Sequence, residues 1–137
     1  MPKVANLGPP SSPKTGVISA ALYKFIEDFL DNKKTKYKCI EDFLKNNYPD
    51  IKSLKSGEAI IDYSKDIIDE SINAVKKLNS SFLLIQGPPG AGKTYTSAKI
   101  ILNLIKDKKK VGINSNSHKA INNLLLKIEE LAAEENF

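Results

Sequence analysis

A chain of 137 residues is long enough for one domain with a hydrophobic core, and its apolar share of 41% is ordinary for a globular protein. Its formal net charge of +5 at pH 7 favours polyanionic partners, although a lysine-rich solvated surface gives the same balance. The single cysteine, Cys39, and the single histidine, His118, exclude an internal disulfide and metal sites built from several cysteines or histidines of one chain.

The first residues of the chain combine several prolines with paired serines and hold no apolar run. We therefore expect residues 1–15 to be a flexible lead-in and not a signal peptide. No apolar run elsewhere approaches the roughly 18 residues that cross a bilayer. These observations predict a cytoplasmic protein without a membrane partner.

Three helices are predicted between residues 16 and 79, which we interpret as a helical N-terminal segment. Apolar residues recur at helical spacing from Ile18 to Leu30, from Tyr37 to Asn46 and from Glu58 to Leu78. The pair Asn79-Ser80 then interrupts the pattern.

The second half of the chain has the pattern of a βαβα unit. The apolar run Phe82–Ile85 predicts a strand buried on both faces, and Val111–Ser115 predicts a second strand. Helices are expected from Lys93 to Lys106 and from His118 to Ala133. Strands joined in this order pair in parallel through a right-handed crossover, so we predict an α/β fold. The predicted inner face of the last helix comprises Ile121, Leu124, Leu125, Ile128 and Leu131.

A phosphate-binding motif lies between the first predicted strand and its helix. The run Gly87-Pro-Pro-Gly-Ala-Gly-Lys-Thr94 matches the P-loop pattern G-x-x-x-x-G-K-[ST] at every fixed position. Glycines allow the backbone to approach a ligand closely, and the loop N–H groups form an anion site with the positive end of the following helix. The candidate nucleotide-binding residues are Gly87, Pro88, Pro89, Gly90, Ala91, Gly92, Lys93, Thr94 and Tyr95.

Two of these residues are the catalytic candidates. Lys93 is expected to reach the β- and γ-phosphates, and the Thr94 hydroxyl is expected to bind Mg²⁺. An incidental Gly/Pro turn is the alternative, but a strand before the motif and a helix after it argue against that reading. The residues alone predict a nucleoside triphosphate with Mg²⁺ and do not distinguish ATP from GTP.

The run Ile85-Gln-Gly-Pro-Pro-Gly-Ala-Gly-Lys-Thr94, followed by Ser117-His-Lys-Ala120, resembles superfamily 1 P-loop helicases with an AAA-type ATP-binding domain. The resemblance covers about residues 80–130 and is strongest to bacterial and archaeal proteins that fuse a helicase to a nuclease. It implies a RecA-like parallel-sheet core and ATP hydrolysis coupled to translocation on DNA or RNA. The second run is similar to the family's motif Ia, which implies that Ser117, His118 and Lys119 contact single-stranded nucleic acid.

The sequence also departs from this family. It shows no Asp-Glu pair at the end of an apolar strand, no arginine fingers, no upstream glutamine motif and no nuclease carboxylate cluster. We therefore interpret residues 80–137 as the start of a motor domain, truncated and inactive in isolation. The remainder of the motor, or a nuclease domain, would then be a partner.

Two other functions stay open on the residues alone. One is another P-loop ATPase or a small kinase, which would need sensor residues or a pocket for the phosphate acceptor. The other is a non-catalytic nucleotide-binding module in which the P-loop only holds phosphate. The choice between DNA and RNA is open as well.

Overall fold

The structure is a computed structural model that describes residues 15–31 and 36–137, so the predicted lead-in, apart from Thr15, lies outside the described residues. The chain divides into two compact units, one ending at Lys38 and the other running from Cys39 to Phe137. The second unit contains both sides of the predicted boundary near residue 79, and that boundary stays a prediction. None of the helices in the described ranges is long and apolar enough to span a bilayer.

The first unit contains one long helix, α1, from Gly16 to Leu30. The predicted helix from Ile18 is confirmed, with two residues more at its start. Its end is closed by the Asp31 N–H, which donates to the Glu27 carbonyl at 3.1 Å. None of its residues is buried among the described part of the chain. The Phe25 ring packs edge-on against Tyr37, with 5.9 Å between the ring centroids.

Four further helices follow along the chain. They are α2 (Lys38–Leu44), α3 (Ile67–Lys76), α4 (Lys93–Lys106) and α5 (His118–Glu134). The predicted limits of α4 are confirmed at both ends, and α5 extends one residue beyond its predicted end. The helix α2 is shorter than predicted at both ends.

The predicted helix from Glu58 to Leu78 is wrong in its first half, because α3 begins only at Ile67. Asp66 fixes this start: its carboxylate accepts hydrogen bonds from the N–H groups of Ile68 and Asp69 at 2.8 and 3.0 Å. An aspartate in this position satisfies donors that a helix leaves unpaired at its N-terminus. The preceding residues form turns, in which the Asp62 carboxylate accepts from the Ser64 N–H.

The predicted parallel sheet is not confirmed. No strand is assigned in residues 15–31 or 36–137, and the stretches 82–85 and 111–115 carry no ladder. An isolated antiparallel bridge joins Ile51 to Leu78. An extended segment becomes a strand only when a neighbour pairs with its N–H and C=O groups. Leu84 is 66% exposed, so the expectation of burial on both faces is wrong for this residue.

Backbone hydrogen bonds hold the segment that leads to the P-loop. The Lys52 N–H donates to the Lys77 carbonyl at 2.9 Å, and the Asn79 N–H donates to the Asp50 carbonyl at 2.9 Å. The Asp50 N–H donates to the Ser81 hydroxyl oxygen, also at 2.9 Å. The chain around residue 51 therefore fixes the path of the chain after α3.

The core of the second unit forms where α4 packs against both α3 and α5. Ala98, Leu102 and Leu131 are its most buried cluster, with Leu124 and Ile128 against it. Ala at position 98 lets the two helices approach closely, and Leu131 fills the space beside Leu102.

The predicted inner face of α5 is confirmed at Leu124, Ile128 and Leu131 and wrong at Leu125, which is 43% exposed. Successive residues of a helix differ by about 100° in direction, so the neighbour of a core residue turns outward.

Ion pairs link α4 to its neighbours. The Lys99 ammonium lies 2.6 Å from the Glu135 carboxylate, which also pairs with Lys106. On the other side, Lys76 of α3 lies 2.9 Å from Asp107, the residue that follows α4. These contacts hold the helix that follows the P-loop on two sides.

Candidate functional site

The P-loop enters α4 through two glycines with left-handed backbone conformations. Gly90 has φ 81° and Gly92 has φ 78°, a region that side chains with a Cβ rarely adopt. Gly92 is also the N-cap of α4 and supplies no side-chain hydrogen bond. The first N–H groups of a helix have no partner within the helix, so those of α4 remain available for an anion.

The start of the loop is tight. A Cβ added to Gly87 would lie 3.2 Å from the Ala91 Cβ, closer than ordinary van der Waals contact. The Ala91 N–H donates to the Pro88 carbonyl at 3.2 Å and closes a turn. A side chain at position 87 would therefore have to displace Ala91 slightly.

The Lys93 side chain folds back across the loop. Its ammonium donates to the carbonyl oxygens of Gly87 and Pro88 at 2.6 and 2.7 Å. An ammonium has three donors, so one remains for a ligand while these two bonds persist. The cation is thereby held beside the loop N–H groups, and both attract the same kind of ligand.

A cavity of about 400 Å³ opens against the loop, within the roughly 300–1,000 Å³ common for ligand sites. The predicted residues from Gly90 to Tyr95 line it, and Thr94 is exposed in the first turn of α4. Three predicted residues, Gly87, Pro88 and Pro89, are not among its walls.

Two residues of this cavity were missed by the sequence analysis, Asn123 and Lys127 of α5. Polar residues four apart lie on one helix face, which is a signal that the sequence contains. The packing of α5 on α4 is what brings that face to the loop. The Lys127 ammonium lies 5.7 Å from the centroid of the Tyr95 ring, and Lys99 lies 5.8 Å from it. A hydrogen bond to Glu130 raises the pKa of Lys127.

A second cavity, of about 540 Å³, shares Ala91 and Lys93 with the first. Tyr48 and Thr96 also contribute to its walls. Most of its remaining lining is apolar, with Ala59, Ile60, Ile61, Ile67, Leu83, Leu84 and Ile85.

The residues similar to motif Ia lie at the start of α5. The Ser117 hydroxyl oxygen accepts from the Ala120 N–H at 3.4 Å and caps this helix. His118 and Lys119 are exposed in its first turn. None of the three lines either cavity at the P-loop. Within the described ranges, no three His, Cys, Asp or Glu side chains form a metal-binding group.

The C-terminal half of the chain matches a family of known proteins: the AAA domain family matches residues 62–136. The chain belongs to the AAA domain family. Membership implies a P-loop NTPase fold for these residues, and the match includes α3, the P-loop, α4 and α5.

Two curated relatives are each similar to about half of the chain. DNA replication ATP-dependent helicase/nuclease dna2 of Schizosaccharomyces pombe is 37% identical over 75 residues, or 52% of this chain. DNA replication ATP-dependent helicase/nuclease DNA2 of Saccharomyces cerevisiae is 38% identical over 64 residues, or 47% of this chain. The aligned part spans only 5% and 4% of the lengths of these relatives. No solved structure matches the chain.

Proposed function

We propose that this AAA domain is the ATP-binding portion of an ATP-dependent helicase that couples ATP hydrolysis to translocation on nucleic acid. The observation that carries the proposal is the Lys93 ammonium held across a glycine loop whose helix begins without a side-chain cap. Both relatives are ATP-dependent helicase/nucleases of DNA replication, which supports the proposal and favours DNA as the track.

The loop is suited to the phosphates of the nucleotide. The uncapped N-terminus of α4 offers N–H donors. Lys93 can exchange the Pro88 carbonyl for a phosphate oxygen because that hydrogen bond is exposed. The Thr94 hydroxyl, exposed beside Lys93, is the proposed Mg²⁺ ligand. Mg²⁺ in such sites takes most of its ligands from phosphate and water, so one protein hydroxyl fits it, and it neutralises charge on the phosphates.

The second cavity is the proposed site for the nucleoside base. It shares Lys93 with the phosphate site, and apolar side chains such as Ile60 and Ile85 line most of it. A flat, poorly hydrated ring gains from such a surface. The choice of ATP over GTP rests on the two relatives, which are ATP-dependent, and not on a residue that recognises the base.

The start of α5 is the proposed contact with single-stranded nucleic acid. Lys119 and His118 are exposed there, next to N–H groups that a helix N-terminus offers to phosphates. The Ser117 hydroxyl caps the helix, and from that position it would contact the sugar-phosphate backbone of the nucleic acid.

The parallel sheet and the hydrolytic step belong to the same proposal. The stretches 82–85 and 111–115 are unpaired here, and we propose that they become parallel strands when a neighbouring strand pairs with them. The Asp69-Glu70 pair lies within α3, and no Asp-Glu pair ends a predicted strand, so the chain by itself is expected to bind ATP and hydrolyse it very slowly.

Calorimetric titration of the purified chain with ATP and Mg²⁺ tests the proposal. Lys93→Ala is expected to weaken binding about 100-fold, because it removes charge-assisted hydrogen bonds to phosphate. Lys110→Met, which removes a positive charge from an exposed position after α4, should bind like the wild type and controls for net charge.

Circular dichroism of each protein establishes whether it is folded. A folded wild-type chain that binds no ATP, or binding that Lys93→Ala leaves intact, would contradict the proposal.

A second experiment adds single-stranded DNA to the ATP-bound chain, and weaker DNA binding by Lys119→Ala is expected. Phosphate release measured beside binding separates a working hydrolase from a nucleotide-binding module.

A further inference from the structure

A second cation lies beside the P-loop, on a helix outside the motif. Lys127 of α5 lines the cavity of about 400 Å³ together with Asn123, one helical turn before it. Because residues four apart share a helix face, both side chains approach the cavity from α5. One wall of the cavity therefore belongs to the P-loop and α4, and the other belongs to α5.

The Lys127 ammonium can exchange its present ion-pair partner for an anionic ligand. Its partner is Glu130, at 2.7 Å, whose side chain is 61% exposed. An exposed ion pair of this kind is weak, because water and salt compete with it. A phosphate group carries more charge and several acceptor oxygens, so it is a better partner than one exposed carboxylate.

Lys99, the other lysine at the Tyr95 ring, is held elsewhere. Its ammonium lies 2.6 Å from Glu135, and its side chain is only 20% exposed. Lys99 is not among the residues that line the cavity. Of the two lysines at the Tyr95 ring, Lys127 is therefore the one that faces the cavity.

The two cavities indicate which one holds the base of the nucleotide and which one holds its terminal phosphate. They share Ala91 and Lys93, and the larger one is mostly apolar. With the base in the apolar cavity, the phosphates pass over the loop and their far end enters the cavity that Lys127 lines. A diphosphate would reach less far into it.

We propose that Lys127, with the Asn123 amide beside it, binds the terminal phosphate of the nucleoside triphosphate, so that the nucleotide connects α4 to α5. This inference rests on the proposed function of the P-loop and adds a second element to that site. The helix α5 begins at His118. A triphosphate would thus tie down the helix whose first turn is the proposed nucleic-acid contact, and a diphosphate would release it.

Titration of the full chain with Mg²⁺–ATP and with Mg²⁺–ADP tests this assignment. Lys127→Met keeps an unbranched apolar side chain and removes the charge. It is expected to weaken ATP binding about tenfold and to change ADP binding by less than about twofold. Lys110→Met is the matched control and should leave both affinities unchanged.

Two further variants separate a ligand contact from a structural role. Lys127→Arg keeps the charge and should retain most of the affinity for ATP. Glu130→Gln removes the competing carboxylate and should strengthen ATP binding by about two- to threefold. If the Lys127–Glu130 pair only stabilised α5, Glu130→Gln would weaken binding as Lys127→Met does.

The outcomes for the two proposals are distinct. A folded wild-type chain that binds no ATP overturns both of them. Wild-type binding that needs Lys93 but is unchanged in Lys127→Met overturns the assignment of Lys127 alone. Equal losses of ATP and ADP affinity in a folded Lys127→Met protein also overturn it, because the terminal phosphate would then not be the partner.

Discussion

At the scale of single residues, the P-loop depends on two opposite properties of its glycines. Gly87 is constrained by space, since a Cβ there would approach Ala91 at 3.2 Å. Gly92 has open space around it, but its φ of 78° is costly for a residue with a Cβ. The sequence motif requires glycine at both positions, and only the structure shows that the physical reasons differ.

Gly92→Ala tests the conformational requirement. We expect it to lower the free energy of unfolding by about 1 kcal/mol, because alanine resists the left-handed conformation while filling empty space. Urea unfolding measures this change. Gly112→Ala is the control, since it also meets no atom within 4 Å and its φ lies outside the left-handed region, and it should be neutral or slightly stabilising. Equal effects of the two substitutions would contradict the explanation.

At the scale of helices, the contact between α4 and α5 places the candidate site. It aligns the start of α4, with Tyr95, beside Asn123 and Lys127 of α5. The apolar side chains that make this contact are few, and the described core cluster contains only three buried residues. Each of them therefore carries a large part of the contact.

Two leucines of α5 provide a matched test of this contact. Leu131 is 1% exposed and Leu126 is 57% exposed. Leu131→Ala is expected to cost about 2–5 kcal/mol of unfolding free energy, through lost burial and the cavity left behind. Leu126→Ala should change it by less than about 0.5 kcal/mol. Thermal or urea unfolding compares them, and similar losses would show that α5 does not pack as described.

At the scale of the whole molecule, the second unit is held by a small core and by ion pairs at its surface. Glu135 accepts from Lys106 and Lys99, and these hydrogen bonds lower its pKa to about 2. Asp62 has its pKa lowered to about 2 by hydrogen bonds from Ser64 and then Lys65. Both carboxylates therefore favour the folded state while they are ionised.

The free energy of unfolding should therefore fall at acid pH, as these carboxylates become protonated. Because the pKa of Glu135 is lower in the folded state than its ordinary value of 4.5, its contribution is complete above that value and is lost as the pH falls towards about 2. Glu135→Gln should therefore flatten the decline in unfolding free energy over this range. Urea titrations at several pH values measure the decline, with Glu129→Gln, in the helix that ends just before Glu135, as control. An unchanged slope in Glu135→Gln would show that the ion pairs do not form in solution.

The sequence by itself determined the features that depend only on residues close together in the chain. The P-loop pattern, the limits of α4 and the start of α5 follow from local spacing and from side-chain chemistry that acts within a turn. It also indicated the family, through the Ile85–Thr94 run. The helix predicted from Glu58 failed for a local reason, because the Asp66 cap was not recognised as a start signal.

The tertiary structure decided everything that joins distant parts of the chain. The pairing of Asn123 and Lys127 with the loop depends on how α5 packs on α4, and periodicity gives a face but not its partner. The expected strands at 82–85 and 111–115 also depend on a partner. Strand hydrogen bonds join residues far apart in sequence, so an apolar run by itself does not make a sheet.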